Sequence, residues 1–189
     1  MEILKEKIRE YGVLVSDNVL KVDSFLNHQL DPEFIVAVGH EFATRFAGDE
    51  VTKILTVEAS GIAVALTTAM EMKVPCVFAK KNKPSTLQGE VYSSIVHSFT
   101  KNETVTISVA ASYIDSNDRI LIIDDFLAMG AASKGLIEIV GQSGAHLVGV
   151  GVVIEKGFQK GGRELRKSGV RVEPLVVIKS LAAGKVEFE

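Results

Sequence analysis

The sequence of 189 residues contains no tryptophan, one cysteine and four prolines, and aromatic residues make up only 6% of it. Its longest uninterrupted apolar run, 147–154, includes two glycines and is far shorter than the roughly 20 residues that a membrane-spanning helix needs. The net charge of -3 lacks the basic excess that a nucleic-acid-binding surface usually shows. These deficits argue against a membrane protein and against a protein whose main partner is nucleic acid.

The single cysteine, Cys76, has no second cysteine with which to form an intrachain disulfide. The chain starts with the charged run Met-Glu-Ile-Leu-Lys-Glu-Lys, which contains no secretory apolar segment. Together these features predict a reducing, cytoplasmic setting.

What the chain does have is apolar content: 47% of its residues are hydrophobic, enough at this length to bury a core. Apolar, strand-like segments alternate with helix-like ones. The predicted strands are 53–57, 75–79, 119–123, 146–154 and 170–178, and the predicted helices are 2–11, one that follows the N-cap Asp31, 61–72, 131–142 and 163–167. Strands separated by about a dozen helical residues are typical of parallel βαβ units. We therefore expect one doubly wound α/β domain over residues 1–189, with a mainly parallel sheet and helices on both faces.

Two segments interrupt this alternation. Residues 13–29 mix β-branched and polar residues, and we expect them to be irregular apart from a short strand at 19–22. Residues 80–113 are polar and rich in Ser and Thr, with alternating patterns at 92–99 and 104–109. The second segment predicts a two-stranded excursion over the domain.

Ligands of an open parallel sheet bind outside the carboxyl ends of its strands, so the loops that follow strands are the places to look for chemistry. Four such loops are polar or glycine-containing: 58–61, 80–83, 124–132 and 155–158. The predicted topology brings all four to one edge of the sheet.

The loop at 124–132 is the most informative of the four. The apolar strand 120–123 leads into Asp124 and Asp125, and small residues around Gly130 then open a helix. Backbone N–H groups at such a helix start can hold a phosphate without a positive side chain. Because the two carboxylates can accept hydrogen bonds from sugar hydroxyls, the loop predicts a site for a ribose phosphate.

The run from Leu121 to Ser133 resembles the phosphoribosyl pyrophosphate (PRPP) motif of type I phosphoribosyltransferases. Many members end this motif with a Thr-Gly-Gly-Thr-like sequence, whereas this chain has the hydroxyl-poor Met129-Gly130-Ala131-Ala132-Ser133. That form is similar to the loop of the bacterial xanthine phosphoribosyltransferases, and the similarity extends through residues 19–29, 58–61 and 154–158.

The resemblance implies a type I phosphoribosyltransferase fold with a small hood, from residues of about 13–30 and 155–189, and a flexible lid at about 83–106. It implies transfer of the 5-phosphoribosyl group from PRPP to xanthine, giving XMP and pyrophosphate through an oxocarbenium-like transition state. It also implies Mg2+ held mainly by PRPP, without a metal site built by the protein, and a homodimer.

The resemblance assigns roles to individual residues as well. The expected catalytic residues are Asp124 and Asp125. The residues expected to bind PRPP are Ala128, Met129, Gly130, Ala131 and Ala132 at the 5-phosphate, with Glu58, Ala59, Ser60, Gly61, Lys80 and Lys81 at the pyrophosphate. The residues expected to bind xanthine are Leu20, Asn27, Lys156 and Phe158.

Each of these features also has a simpler structural interpretation. The acid pair could cap a helix, Lys80, Lys81 and Lys156 could be solvated surface residues, and Phe158 could pack without touching a ligand. At the level of the whole chain, the alternatives are a guanine, hypoxanthine or adenine transferase and a PRPP-sensing regulator that binds nucleic acid. The acidic balance and the base loop at Lys156 favour an enzyme.

Overall fold

The computed structural model describes residues 1–81, 89–98 and 103–189. Its helices are α1 (Glu2–Tyr11), α2 (Pro32–Arg45), α3 (Gly61–Met72), α4 (Ala131–Ser143) and α5 (Gly161–Lys167). Its strands are β1 (Val13–Ser16), β2 (Val19–Lys21), β3 (Lys53–Val57), β4 (Cys76–Lys81), β5 (Val91–Ser98), β6 (Glu103–Ala110), β7 (Arg119–Leu127), β8 (His146–Lys156), β9 (Val172–Ser180) and β10 (Glu187–Phe188). Short helical turns lie at Asp23–Asn27, Ala111–Tyr113 and Ala182–Gly184.

Eight of the strands form one sheet in the order β10-β9-β8-β7-β3-β4-β6-β5. The neighbours from β9 through β4 are parallel, whereas β10 at one edge and β6 and β5 at the other are antiparallel. The predicted doubly wound, mainly parallel sheet is therefore confirmed.

Side chains of the central strands alternate between two separate apolar cores, because successive residues of a strand point to opposite faces. Leu121 and Ile123 belong to a first core, which lies between the sheet and helices α1, α2 and α3. Ile120 and Ile122 belong to a second core, shared with α4 and α5. Helices cover both faces, as the sequence predicts.

Helix α2 begins where its capping pattern predicts. The side chain of Asp31 accepts a hydrogen bond from the backbone N–H of Phe34 at 3.2 Å, and Pro32 occupies the first turn. Phe34, Val38 and Phe42 then bury the same face of the helix in the first core. Among the described residues, none of the helices is both long and apolar enough to span a bilayer.

The segment at 13–29 is more regular than expected, since β1 and β2 pair antiparallel as a separate hairpin. The predicted short strand is β2. Strand β1 was not predicted, because its residues are mostly exposed and show no alternation of apolar and polar residues. The hairpin leads into the helical turn at Asp23–Asn27.

The two strands expected within 80–113 are present as β5 and β6, but they do not cross over the domain. Instead β6 pairs with β4, with Lys80 opposite Ser108 and Lys81 opposite Ile107, and β5 extends the sheet further. Strand β5 also packs on α4, where Ser94 Oγ donates to a carboxylate oxygen of Glu138 at 2.6 Å. Residues 83–88 and 99–102 of the predicted lid at 83–106, together with residue 82 of the predicted loop, lie outside the described residues, and most of the remaining range belongs to β5 and β6.

Candidate active site

The predicted meeting of loops at the carboxyl edge of the sheet is found in the structure. The backbone N–H of Lys81, at the end of β4, donates to a carboxylate oxygen of Glu58, which follows β3. The start of α3 lies against β7, because a Cβ on Gly61 would come within 2.9 Å of Asp124 Oδ1. The start of α5 touches the loop after β7, where Gly161 N donates to Ala128 O at 3.1 Å.

Asp124 and Asp125 lie inside β7, which is a correction to the predicted strand end at residue 123. The strand continues because its parallel pairing with β8 runs on, with Asp124 opposite Val152 and Leu127 opposite Glu155. Both acids are buried, with 4% of Asp124 and 8% of Asp125 exposed. The acid pair is therefore held rigidly by the sheet and not by a loop.

Burial dominates the electrostatics of Asp124. Desolvation and the neighbouring carboxylate of Asp125 raise the pKa of Asp124 well above its usual range, and the charge of Lys81 opposes this rise only in part. The backbone N–H of Asp125 donates to Asp124 Oδ1 at 3.0 Å. Hydroxyl donors or positive charge beside such a carboxyl favour its charged form and lower its pKa.

The residues predicted to hold the 5-phosphate form the turn between β7 and α4. Gly130 is the N-cap of α4 and has a left-handed backbone, with φ of 78°, which favours glycine. No side chain among the described residues caps this helix start, so its first N–H groups are free of side-chain acceptors. A helix start of this kind binds anions well.

The residues predicted to hold pyrophosphate surround the start of α3. The peptide bond between Glu58 and Ala59 is cis, and Glu58 N donates to Ala79 O at 3.1 Å in the neighbouring strand. Ser60 is the N-cap of α3 but makes no side-chain capping hydrogen bond. Lys80 and Lys81 end β4 beside this loop, so all six predicted residues lie at one edge of the sheet.

On the predicted purine side, Lys156 ends β8 and reaches the β1–β2 hairpin. Its Nζ donates to Asn18 O at 2.7 Å and lies 5.6 Å from the centre of the Phe126 ring. Burial lowers the pKa of Lys156. Leu20, in the same hairpin, is buried in the first core.

Asn27 and Phe158 complete the predicted purine set. The Asn27 Oδ1 atom is buried and has no hydrogen-bond partner among the described residues. Phe158 is partly buried against the first core, and this packing accounts for its burial without any ligand. The structure thus brings an unsatisfied acceptor and a partly desolvated ammonium to the elements from which a purine site was predicted.

Sequence reasoning missed three features beside the site. Glu155 is 4% exposed and is paired with Arg166, and the Phe126 ring lies next to Lys156. Thr56 is fully buried, and its Oγ1 has no partner among the described residues. Glu155 and Phe126 lie in segments that the sequence singled out as loops, although the structure places them in β8 and β7. Thr56 lies in an apolar strand, and nothing in the sequence pointed to it.

Carboxylates at the edge are hard oxygen donors of the type that Mg2+ prefers. Within 1–81, 89–98 and 103–189, however, no three His, Cys, Asp or Glu side chains are grouped so that they could hold a metal ion.

Comparison with known proteins shows full-length relatives. The chain is 63% identical over 188 residues to a xanthine phosphoribosyltransferase from Moorella thermoacetica, covering 100% of this chain and 96% of the relative. It is 53% identical to the enzyme of that name from Stutzerimonas stutzeri and 52% identical to that from Limosilactobacillus reuteri, covering all of this chain and 99% and 98% of those relatives. Models of known protein families give no match.

Solved structures share the fold at lower identity. An adenine phosphoribosyltransferase from Rhodothermus marinus superposes with a TM-score of 0.76 at 22% identity, covering 94% of this chain and 100% of the other. An APRTase from Giardia lamblia, complexed with 9-deazaadenine, gives a TM-score of 0.78 at 20% identity, with coverage of 92% and 97%. At this identity the likeness concerns the fold alone.

Proposed function

The chain belongs to the xanthine phosphoribosyltransferase family, and from this premise we infer that it transfers the 5-phosphoribosyl group of PRPP to xanthine. The products are XMP and pyrophosphate. The structural observation that supports this reaction is the convergence of the acid pair, the α4 start and the α3 start at one edge of the sheet. The adenine enzymes among the solved structures share only the fold, so they do not favour adenine as the base.

PRPP fits this edge in one orientation. Its 5-phosphate lies on the backbone N–H groups of Ala128–Ala132, where the α4 start attracts negative charge. The ribose hydroxyls donate to Asp124 and Asp125, and the pyrophosphate faces residues 58–61 with Lys80 and Lys81. Because the acids belong to β7 and the phosphate loop follows it directly, a single rigid element orients both ends of the ribose phosphate.

The reaction breaks the bond between the anomeric carbon and pyrophosphate, which leaves with the bonding electrons, and positive charge develops on the ribose. A ring nitrogen of xanthine then bonds to the anomeric carbon, and the base gives up one proton. Preorganised donors stabilise the departing pyrophosphate, while Asp124 and Asp125 stabilise the positive ring. Burial and the carboxylate of Asp125 raise the pKa of Asp124, and positive charge on the ribose acts in the opposite direction by favouring the charged carboxylate.

We assign xanthine to the region where the end of β8 meets the hairpin. The Lys156 ammonium donates to a purine oxo group, and the buried Asn27 Oδ1 accepts from a purine N–H, which gives this orphaned acceptor a partner. Leu20 packs on the base, and Phe158 covers it. In this arrangement the hairpin and residues 155–189 act as the hood.

Mg2+ enters with the substrate in this proposal. When bound, the ion activates pyrophosphate as a leaving group. We assign most of its ligands to oxygen atoms of PRPP, which are hard donors of the kind that Mg2+ prefers. Water must be kept from the activated PRPP, and we assign that role to the segment predicted as a lid at about 83–106, whose described part is the β5–β6 pair at the edge of the sheet.

We further propose a cytoplasmic homodimer. Val36, Leu66 and Met70 are 49%, 50% and 66% exposed, so these apolar side chains of α2 and α3 are not part of the core. Leu66 and Met70 are four residues apart and lie on one side of α3. Light scattering of the wild type and of Met70→Glu tests this interface, since only the variant should dissociate.

The decisive experiment measures pyrophosphate release with PRPP and Mg2+ when xanthine, guanine, hypoxanthine and adenine are offered separately at equal concentration. We expect a strong preference for xanthine. Turnover of another purine would reassign the base pocket but keep the chemistry. Binding of PRPP without turnover of any base would overturn the enzymatic role and point to a regulator.

A further inference from the structure

Helix α5 begins in direct backbone contact with the predicted phosphate loop. Gly161 N donates to Ala128 O at 3.1 Å. A Cβ on Gly161 would lie only 2.6 Å from Gly130 N and 2.7 Å from Met129 C, so no side chain separates the two segments. Any shift of α5 must therefore move the backbone of the loop that we expect to hold the 5-phosphate.

The same helix is tied to the end of β8 by an ion pair. Arg166 donates to both carboxylate oxygens of Glu155, at 2.7 Å and 2.6 Å. Glu155 is 4% exposed. Its carboxylate packs directly on the backbone of Gly162, where an added Cβ would lie 2.7 Å from Glu155 Cδ. A bidentate ion pair of this kind fixes the orientation of the two side chains as well as the distance between them.

Glu155 and Lys156 are adjacent in β8 and reach opposite sides of it. Glu155 contacts α5, whereas Lys156 contacts the hairpin and the Phe126 ring. Because the two residues are adjacent, the bonds from Arg166 that hold Glu155 also hold the backbone from which the Lys156 side chain extends.

We propose that the Glu155–Arg166 pair is a positioning device for both substrates, holding the phosphate loop through Gly161 and the purine-binding ammonium through the end of β8. The proposal rests on the proposed function, because it uses the substrate positions given there. Neither residue of the pair touches substrate. The pair acts through Ala128 and Lys156.

Loss of Arg166 leaves a buried carboxylate without its partner, which is costly. The end of β8 and the start of α5 then relax away from each other, and both subsites move. Misplacement of about 1 Å is enough to reduce a rate by about a hundredfold. We expect Arg166→Ala to lower kcat/KM for PRPP and for xanthine by about tenfold to a hundredfold. Both KM values should rise as well, because the displaced phosphate loop and ammonium bind the substrates less tightly.

Arg163→Ala is the matched control. Arg163 lies on the same helix, is exposed, and has no hydrogen bond or ion pair within the part of the chain that the structure describes. Its removal changes the charge of α5 equally but leaves the pair to Glu155 intact. Its KM values should match those of the wild type.

Chemical rescue separates positioning from general stability. A cavity of about 420 Å³ lies beside the pair and is lined by Arg163, Arg166, Glu155, Gly157, Val177 and Glu189. Guanidinium ions at millimolar concentration should enter it in Arg166→Ala, pair with Glu155 and lower both KM values. The same concentration of sodium chloride should not, and Arg163→Ala should not respond to guanidinium.

The outcomes are distinct. If Arg166→Ala lowers the melting temperature but keeps kcat/KM for both substrates, the pair only stabilises the fold and the proposal is overturned. A KM change confined to one substrate also overturns it. If Arg166→Ala does not fold, Arg166→Lys, which keeps one of the two bonds, must show a smaller rise in both KM values. Calorimetric titration with PRPP alone measures the effect of Arg166→Ala on PRPP affinity. It therefore tests the link from the pair to the phosphate loop even if xanthine proves not to be the base.

Discussion

The ammonium of Lys156 donates to the backbone carbonyl of Asn18 at 2.7 Å, joining the end of β8 to the turn of the β1–β2 hairpin. The two residues are 138 positions apart in the chain. Because of this bond, the side chain that we assign to the purine oxo group is already ordered before a base arrives. A bound base must either share this ammonium with the Asn18 carbonyl or replace that carbonyl as its acceptor. Base binding and the position of the hairpin are therefore linked.

Lys156→Ala should weaken the use of xanthine. The lost charged hydrogen bond corresponds to about 1.5–3 kcal/mol in kcat/KM for xanthine. Binding of PRPP should be unaffected. Lys179→Ala, which removes an exposed lysine of β9, is the control. Unchanged steady-state kinetics with xanthine would remove Lys156 from the purine site.

The double variant Asp124→Asn, Asp125→Asn should retain the fold and lose turnover. Two amides keep hydrogen-bonding capacity but supply no negative charge to the ribose, and loss of such electrostatic stabilisation costs about a hundredfold or more in kcat. Circular dichroism checks the fold, and pyrophosphate release gives kcat. A normal kcat would rule out the ribose-contact role.

Asp124 should make the protein less stable as pH rises. Its folded-state pKa is raised well above the ordinary value of 3.8, so the native state binds more protons than the unfolded state between those two values. Stability is therefore lost as pH increases through this window. Asp124→Asn should melt at a higher temperature than the wild type above the window and should not differ from it below pH 3.8.

Asp118 provides the comparison of opposite sign. Burial acts to raise its pKa, but hydrogen bonds from Lys53, Asp115 N and Thr52 outweigh burial and lower it. Its contribution to stability is present above the ordinary value of 3.8 and is lost as pH falls through the lowered pKa. Asp118→Asn should therefore melt below the wild type at neutral pH. Equal pH profiles for both variants would contradict these assignments.

Gly130→Ala should weaken PRPP binding. The new Cβ requires a left-handed backbone with φ of 78° and would lie 3.2 Å from Gly161 Cα, so the phosphate turn must shift. Gly141→Ala is the matched control, because that glycine lies in α4 with open space around it. The control should gain about 0.5–1 kcal/mol of unfolding free energy. Titration with PRPP and urea unfolding distinguish the two variants, and equal PRPP affinity would argue against this turn.

Thr56→Val and Thr68→Val should change stability in opposite directions. The buried Thr56 Oγ1 has no partner among the described residues, so its removal should raise the unfolding free energy, by about 1 kcal/mol. Thr68 is equally buried, but its hydroxyl donates to Val64 O at 2.8 Å, and its loss should cost about 1 kcal/mol. Urea unfolding measures both, and a destabilised Thr56→Val would reveal a partner for that hydroxyl.

Much of the fold could be predicted from the sequence because apolar spacing, capping residues and glycines fix most helices locally. The end of β7 could not be predicted from the sequence, since the apolar pattern stops at Asp124 while the backbone pairing with β8 continues to Leu127. The exposed strand β1 offered no pattern at all.

The candidate site shows the same division. Topology alone predicts that the four loops meet, because parallel strands end on one side. The partners of individual side chains could not be predicted. Nothing in the sequence indicates that Lys156 reaches Asn18, or that Glu155 pairs with Arg166 and not with another arginine.

The sheet separates the purine side and the 5-phosphate loop of the proposed site into different apolar layers. Leu20, Phe126 and Phe158, on the purine side, pack in the first core, whereas Leu136 and Ile139 of α4, behind the phosphate loop, pack in the second. A substitution that repacks one layer leaves the other in place. Base preference can therefore diverge among relatives of this chain during evolution while the 5-phosphate loop stays unchanged.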